Sequence, residues 1–238
     1  MAHWQGTDFT VDGREPTSAE DHYQIGLHCW NSGQHRAAAP YFLETAASAG
    51  HEAAVELLGH IAYLQGQYAI AVPLLRRSTG SPRAAHYLAS LYQRGCPEAG
   101  IAQSLDEAAR HYRAAARLGE PESMLALGEL YLERLLPLTQ APAQHALEYF
   151  LAAAERDHPY AQYRAAELYR TLYQDTERAT ALYRACVDNP MTGRHPLGSM
   201  MTLQSQAHLR EMAAMRDARA AQQRRDAVNP VEQRGDFI

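Results

Sequence analysis

The feature that most constrains this chain is that it repeats. Two short signatures alternate along it. In the first, an apolar residue and a small one are followed about a turn later by an aromatic: Leu58-Gly59 with Tyr63, Leu88-Ala89 with Tyr92, Leu127-Gly128 with Tyr131, and Ala165-Ala166 with Tyr169. Ile25-Gly26 with Cys29 is a degenerate copy. In the second, an aromatic or Leu is followed by a small pair and then a turn residue. Phe42 with Ala46-Ala47 and Gly50, Tyr112 with Ala115-Ala116 and Gly119, and Phe150 with Ala153-Ala154 and Asp157 carry it. Leu74 with Ser78-Thr79-Gly80 and Tyr183 with Cys186-Val187 and Pro190 are weaker copies. A period of about 30–40 residues holding two such signatures is that of a helical hairpin. Small residues on one helix let the other approach closely, and one hairpin cannot bury its apolar face alone, so neighbours must stack.

The rest of the sequence agrees with an all-α chain. Alanine, the best helix former, supplies much of the apolar content, while Val and Ile are sparse and seldom alternate with polar residues. Thr17-Ser18-Ala19-Glu20 and Ser104-Leu105-Asp106-Glu107 read as capping boxes. Ser81-Pro82 puts proline at a first helical position, and Gly33, Gly50, Gly80 and Gly119 stand where helices should stop. The expected organisation is an irregular arm over 1–16, a repeat array over 17–190, a loop and capping helix over 191–227, and a flexible tail over 228–238. Within the capping helix, Leu209, Met212, Ala213 and Met215 recur at helical spacing. Two longer loops are expected at 95–100 and 136–142.

Met124-Leu-Ala-Leu127-Gly128-Glu-Leu-Tyr131 and Ala108-Ala-Arg-His-Tyr112-Arg-Ala-Ala115-Ala116-Arg-Leu-Gly119 resemble the two helices of the Sel1-like repeat, a relative of the tetratricopeptide repeat. Ala146-Leu-Glu-Tyr149-Phe150-Leu-Ala-Ala153-Ala154 is nearly as close. The resemblance covers roughly residues 18–190. It departs at Leu74-Leu75, where the shorter hairpin is more like a tetratricopeptide one, and in the last hairpin, where Ala166 replaces Gly. It implies a right-handed α-solenoid of about five helix-turn-helix repeats with a C-terminal capping helix, and a bacterial protein–protein adaptor without catalysis of its own.

Little in the chain suggests other chemistry. The net charge is −5 and the sequence holds no lysine, all 22 cationic side chains being Arg. That balance argues against a nucleic-acid binder, which needs a basic stripe to displace counterions. Asp and Glu interleave Arg210, Arg216, Arg219, Arg224 and Arg225, so that stretch reads as a solvated helix face. The twelve histidines include no His-x-x-x-His or HExxH arrangement and none pairs with a cysteine at ligand spacing. No phosphate loop or nucleophile elbow is present, so no cofactor, metal or catalytic residue is expected. Cys29, Cys96 and Cys186 read as free thiols of a reducing compartment, and Cys29, at the aromatic position of a first helix, reads as buried. No apolar run is long enough to span a bilayer, and the start lacks the basic and apolar regions of a signal peptide. The expected location is the cytoplasm.

In hairpin repeats of this type, first-helix residues turned away from the second helix line the concave surface. That register selects Tyr23 and Trp30, then Glu56 and His60, then His86, Gln93 and Arg94, then Glu129 and Glu133, and finally Tyr163, Glu167 and Arg170. An aromatic start, a basic middle and an acidic later section would suit a mixed-charge peptide or helix. The expected function is a scaffold that binds a protein or peptide there, in a narrower version an immunity or chaperone-like protein for a bacterial toxin. The alternative is a secreted bacterial effector that binds host proteins, which the lysine-free composition motivates.

Overall fold

The computed structural model describes residues 9–10, 14–33, 35–78, 80–133, 135 and 141–228. Most of the N-terminal arm, the 136–140 part of the second long loop and the tail beyond Val228 lie outside the described residues. Among the described residues there are eleven α-helices: α1 (Ala19–Ser32), α2 (Ala39–Ser48), α3 (Glu52–Leu64), α4 (Tyr68–Arg77), α5 (Pro82–Arg94), α6 (Leu105–Arg117), α7 (Pro121–Leu132), α8 (Pro142–Ala154), α9 (Pro159–Thr171), α10 (Thr176–Asp188) and α11 (Gly198–Val228). They group into two compact units, Met1–Leu127 and Gly128–Ile238, the division falling inside α7.

In the N-terminal unit α1 packs on α2, α3 on α4 and α5 on α6. The small residue of the first signature is a seat for the second helix of its own hairpin. A Cβ added to Gly26 would fall 2.6 Å from Leu43 Cγ, and one on Gly59 would fall 3.1 Å from Leu75 Cδ2. The helix axes can be this close only because glycine leaves the space open. Ile25, Cys29, Leu43, Ala46, Val55 and Leu58 bury together. A second cluster gathers Ala71, Leu75, Leu88 and Leu91 with Cys96 and Ile101. The last two belong to the 95–101 loop, which is tied into a small bridge by reciprocal Cys96 and Ile101 backbone hydrogen bonds of 2.8 and 3.0 Å. Phe9, from the arm, packs its ring 4.9 Å from that of Phe42.

The caps shift some expectations by a residue. The first capping box runs from Ser18 to Asp21, one position beyond Thr17 and Glu20, because Ser18 is the residue held extended (φ −107°, ψ 159°). Ser104 caps α6, accepting from the Glu107 N–H at 3.3 Å, and Ser81 caps α5 with Pro82 at the first turn. Gly33, Gly50 and Gly119 take positive φ at helix ends. Gly80 does not act as a stop, since α4 has already ended at Arg77.

In the C-terminal unit α8 packs on α9 and α9 on α10, and Gly128 of α7 lies against the Phe150 ring of α8. The loop before α11 is fastened by Asn189, whose Nδ2 donates to Asp157 O at 2.8 Å and Gln162 Oε1 at 3.1 Å. α11 packs on α10 and touches α9. Its buried stripe is Met201, Ser205 and Met212. At 31 residues it is about 46 Å long against about 20 Å for the 13-residue α10.

Candidate partner-binding face

Polar pairs link the first helices of successive hairpins, and Glu56, His86 and Glu129 of the residues selected from sequence belong to them. In the N-terminal unit His51 caps α3, its Nδ1 accepting from the Ala54 N–H at 3.2 Å, while its Nε2 lies 2.9 Å from Glu20 Oε2 on α1. Accepting at Nδ1 leaves the proton on Nε2, which therefore donates to Glu20. Tyr23 stacks on this ring at 4.4 Å. The next link repeats the device: Ser81 accepts from the Ala84 N–H at 3.1 Å and donates to Glu56 Oε1 at 2.7 Å. His86 on α5 then meets Ser123 Oγ of α7 at 2.9 Å, and burial pushes its imidazole pKa down. Trp30 stands apart, with the Arg36 guanidinium 4.7 Å over its ring.

Between these links lies an aromatic patch. Tyr63 of α3 stacks on Tyr87 of α5 at 4.1 Å, and Tyr68 meets Tyr63 edge-on at 5.6 Å. The Arg94 guanidinium covers Tyr68 at 4.5 Å and Tyr63 at 5.7 Å. Tyr63 is fixed from beneath, its hydroxyl 3.0 Å from Ser90 Oγ. His60 lies 5.4 Å from the Tyr87 ring; burial, then the nearby Arg83, lowers its pKa. Gln93 accepts from the buried Tyr112 hydroxyl at 2.8 Å. Among the described residues no carboxylate lies within ion-pair distance of Arg94. Close by, burial first and then the hydrogen bond and charge of Glu122 raise Glu120 to about 7.

Two acids of the later section, Glu129 and Glu167, prove to be matched by the chain's own cations. In the C-terminal unit Arg164 Nη1 lies 2.9 Å from Glu129 Oε1, an ion pair outside hydrogen-bond angles, so that Oε1 has no hydrogen-bond partner. Burial pushes the Glu129 carboxyl up in spite of Arg164. Glu133 is exposed. Tyr163 is buried and donates to Gln204 Oε1 of α11 at 2.7 Å. Glu167 accepts from the Tyr183 hydroxyl and from Arg170 Nη2 (3.2 Å), and His208 of α11 lies 3.5 Å away. Burial works to raise the Glu167 carboxyl, but those two hydrogen bonds outweigh it and hold the group below its ordinary range.

The structure therefore brings His60 and Arg94 together around one patch, with His86 and Gln93 at its edge through Tyr87 and Tyr112. It gathers Tyr163, Glu167 and Arg170 under α11. Sequence reasoning passed over Tyr63, Tyr68 and Tyr87, which form the patch itself. Tyr63 is the aromatic of a first signature, whereas nothing in the repeat pattern singles out Tyr68 or Tyr87. Among the described residues no three His, Cys, Asp or Glu side chains are grouped to hold a metal ion, and no helix is long and apolar enough to cross a membrane.

Stacked hairpins with linked first helices define an all-α solenoid of helical repeats. The fold is that of the Sel1-like repeat. The chain is similar to a Sel1 repeat protein from Oxalobacter formigenes (TM-score 0.62, 20% identity, 84% of this chain and 88% of that one). It is also similar to c5321, a protective antigen of uropathogenic Escherichia coli displaying an SLR fold (TM-score 0.60, 19% identity). That likeness covers 83% of this chain but only 46% of the antigen. At these identities the likeness is one of fold alone. No protein-family model and no curated protein matches the sequence.

Proposed function

We propose that the protein is a non-catalytic scaffold that holds a protein or peptide partner on its first-helix face, anchored at the Tyr63–Tyr68–Tyr87–Arg94 patch. The observation that carries this reading is Arg94: its guanidinium is braced by two rings and has no carboxylate beside it among the described residues. Tyr and Arg are the side chains most enriched in binding hot spots, and rings already stacked lose little freedom when a partner arrives. A partner segment carrying a carboxylate, or the end of a chain, fits that chemistry. Tyr23, Glu56, His60, His86 and Gln93 extend this face within the N-terminal unit, with Trp30 apart from them; in the C-terminal unit the candidates include Glu129 and Glu133. Tyr163, Glu167 and Arg170, under α11, contribute least. The fold is one typically used as a non-enzymatic scaffold, which fits a face built for contact. The reading includes neither nucleic acid nor membrane.

The test is a pull-down from native lysate with wild type, Arg94→Glu and Glu133→Arg, each shown to be folded by circular dichroism. A partner retained by Glu133→Arg but lost from Arg94→Glu supports the patch. A partner held equally by all three overturns it. A captured bacterial toxin would favour an immunity or chaperone-like role, and a protein of another cell a secreted effector.

A further inference from the structure

The stripe of α11 that packs on α10 does not end where α10 ends. Met201, Ser205 and Met212 are buried, and Thr180 Oγ1 of α10 reaches Met212 Sδ at 3.6 Å. Beyond that contact Ala213, Arg216, Ala220 and Gln223 follow along α11, with no further helix packed on them among the described residues. The outer face of α10, at Glu177, Thr180, Ala181 and Arg184, turns toward the same space. Together they form a groove of about 650 Å³. Met215 stands at its edge 54% exposed, an apolar side chain left in water.

The charges around this groove are unbalanced. Arg184, Arg216 and Arg219 line it against the single acid Glu177, in a chain whose net charge is −5. Arg216 bonds its neighbour Asp217 at 3.0 Å. Arg184 and Arg219 have no carboxylate within ion-pair distance among the described residues. A small-residue floor between two helices flanked by unpaired guanidiniums is complementary to one kind of occupant. That occupant is another helix, with small apolar residues on its buried face and carboxylates on its flanks.

We propose that the groove between α10 and α11 docks an acidic amphipathic helix of a partner protein, seated where a further helix of the array would lie. From Leu209 to Gln223 the groove follows α11 for about 21 Å, which matches a helix of about 14 residues. The site is independent of the Arg94 patch.

The probe is a fluorescein-labelled peptide of about 14 residues, with Ala and Leu at i, i+3, i+4 and i+7 and Glu elsewhere, titrated into the full chain by fluorescence anisotropy. A matching peptide with Arg for Glu is the control. The expected result is saturable binding of the acidic peptide alone. It should weaken by at least about 10-fold in Arg184→Glu/Arg219→Glu and in Met215→Asp, and stay unchanged in Arg94→Glu. Met215 and both arginines are exposed, so these variants should fold, and circular dichroism checks that they do. No saturable binding, or binding indifferent to all the groove substitutions, overturns the proposal. So does a dimer in light scattering that Met215→Asp dissolves, which would make a second copy the occupant. A Phe237→Asp substitution that tightens the peptide about 10-fold would name the chain's own tail instead.

Discussion

Gly128 of α7 lies against the ring of Phe150 of α8: a Cβ built on it would fall 2.7 Å from Phe150 Cδ1 and closer still to Cε1. The glycine of the repeat signature is thus one half of a contact whose other half lies 22 positions along the chain.

Gly128→Ala sets a helix-propensity gain of about 1 kcal/mol against a clash with a ring that is 0% exposed and packed all round. Overpacking of this kind costs about 1–3 kcal/mol, so after the propensity gain urea denaturation should show a net loss of up to about 2 kcal/mol. Adding Phe150→Leu should cost less in the Gly128→Ala background than in wild type. Simple additivity of the two changes would show that ring and glycine do not compete for the same space.

Glu120 gives the N-terminal unit an unusual pH dependence. Its carboxyl is raised to about 7 in the folded chain, against about 4.3 when unfolded. The native state therefore holds its proton longer, and stability should fall as pH rises from about 4.5 to 7, then level off. After screening the loss is on the order of 1–2 kcal/mol. Glu120→Gln should flatten the denaturation midpoint across that window, and an unchanged slope would deny the raised carboxyl.

Tyr183 is fully buried, donating to Glu167 and accepting from Arg170 Nε at 3.2 Å. Tyr183→Phe keeps the ring but leaves a half-buried carboxylate short of a donor, at a cost of about 1–3 kcal/mol. Glu167 also faces His208, so amide exchange in α11 around His208 should quicken more than exchange in α8. Equal quickening throughout the C-terminal unit would point to general loosening.

Cys29, Cys96 and Cys186 are all buried, and burial raises each thiol pKa. An aromatic disulfide reagent should titrate none of them in the native protein at pH 8 and all three in urea. One fast-reacting thiol under native conditions would contradict the burial.

The hairpins were legible because close packing writes itself into sequence. A helix pair this tight needs a small residue at a fixed offset from a bulky one, and Gly26, Gly59 and Gly128 report it wherever they occur. The capping shift from Thr17 to Ser18 was not legible, because both residues can cap and only the backbone decides. The binding face was half legible. Register along a first helix picks out Glu56 and His86, but not that Ser81 and Ser123 are waiting opposite, since those positions depend on how successive hairpins stack. The surroundings of Tyr163 and Glu167 were not legible for a plainer reason. Their register was carried over from earlier repeats, whereas α11, which has no counterpart in the repeat, lies against them.

His51 and Ser81 each serve two helices, closing the start of their own while bonding an acid on the first helix of the hairpin before. A gene that lengthened this array by copying hairpins could not cut it at the loops alone. A duplicated segment would have to bring an acid in its first helix and find a side chain that can answer it at the next helix start. Copies lacking either would join with an unmatched seam, so the grammar of the array is written across its boundaries as much as within its repeats.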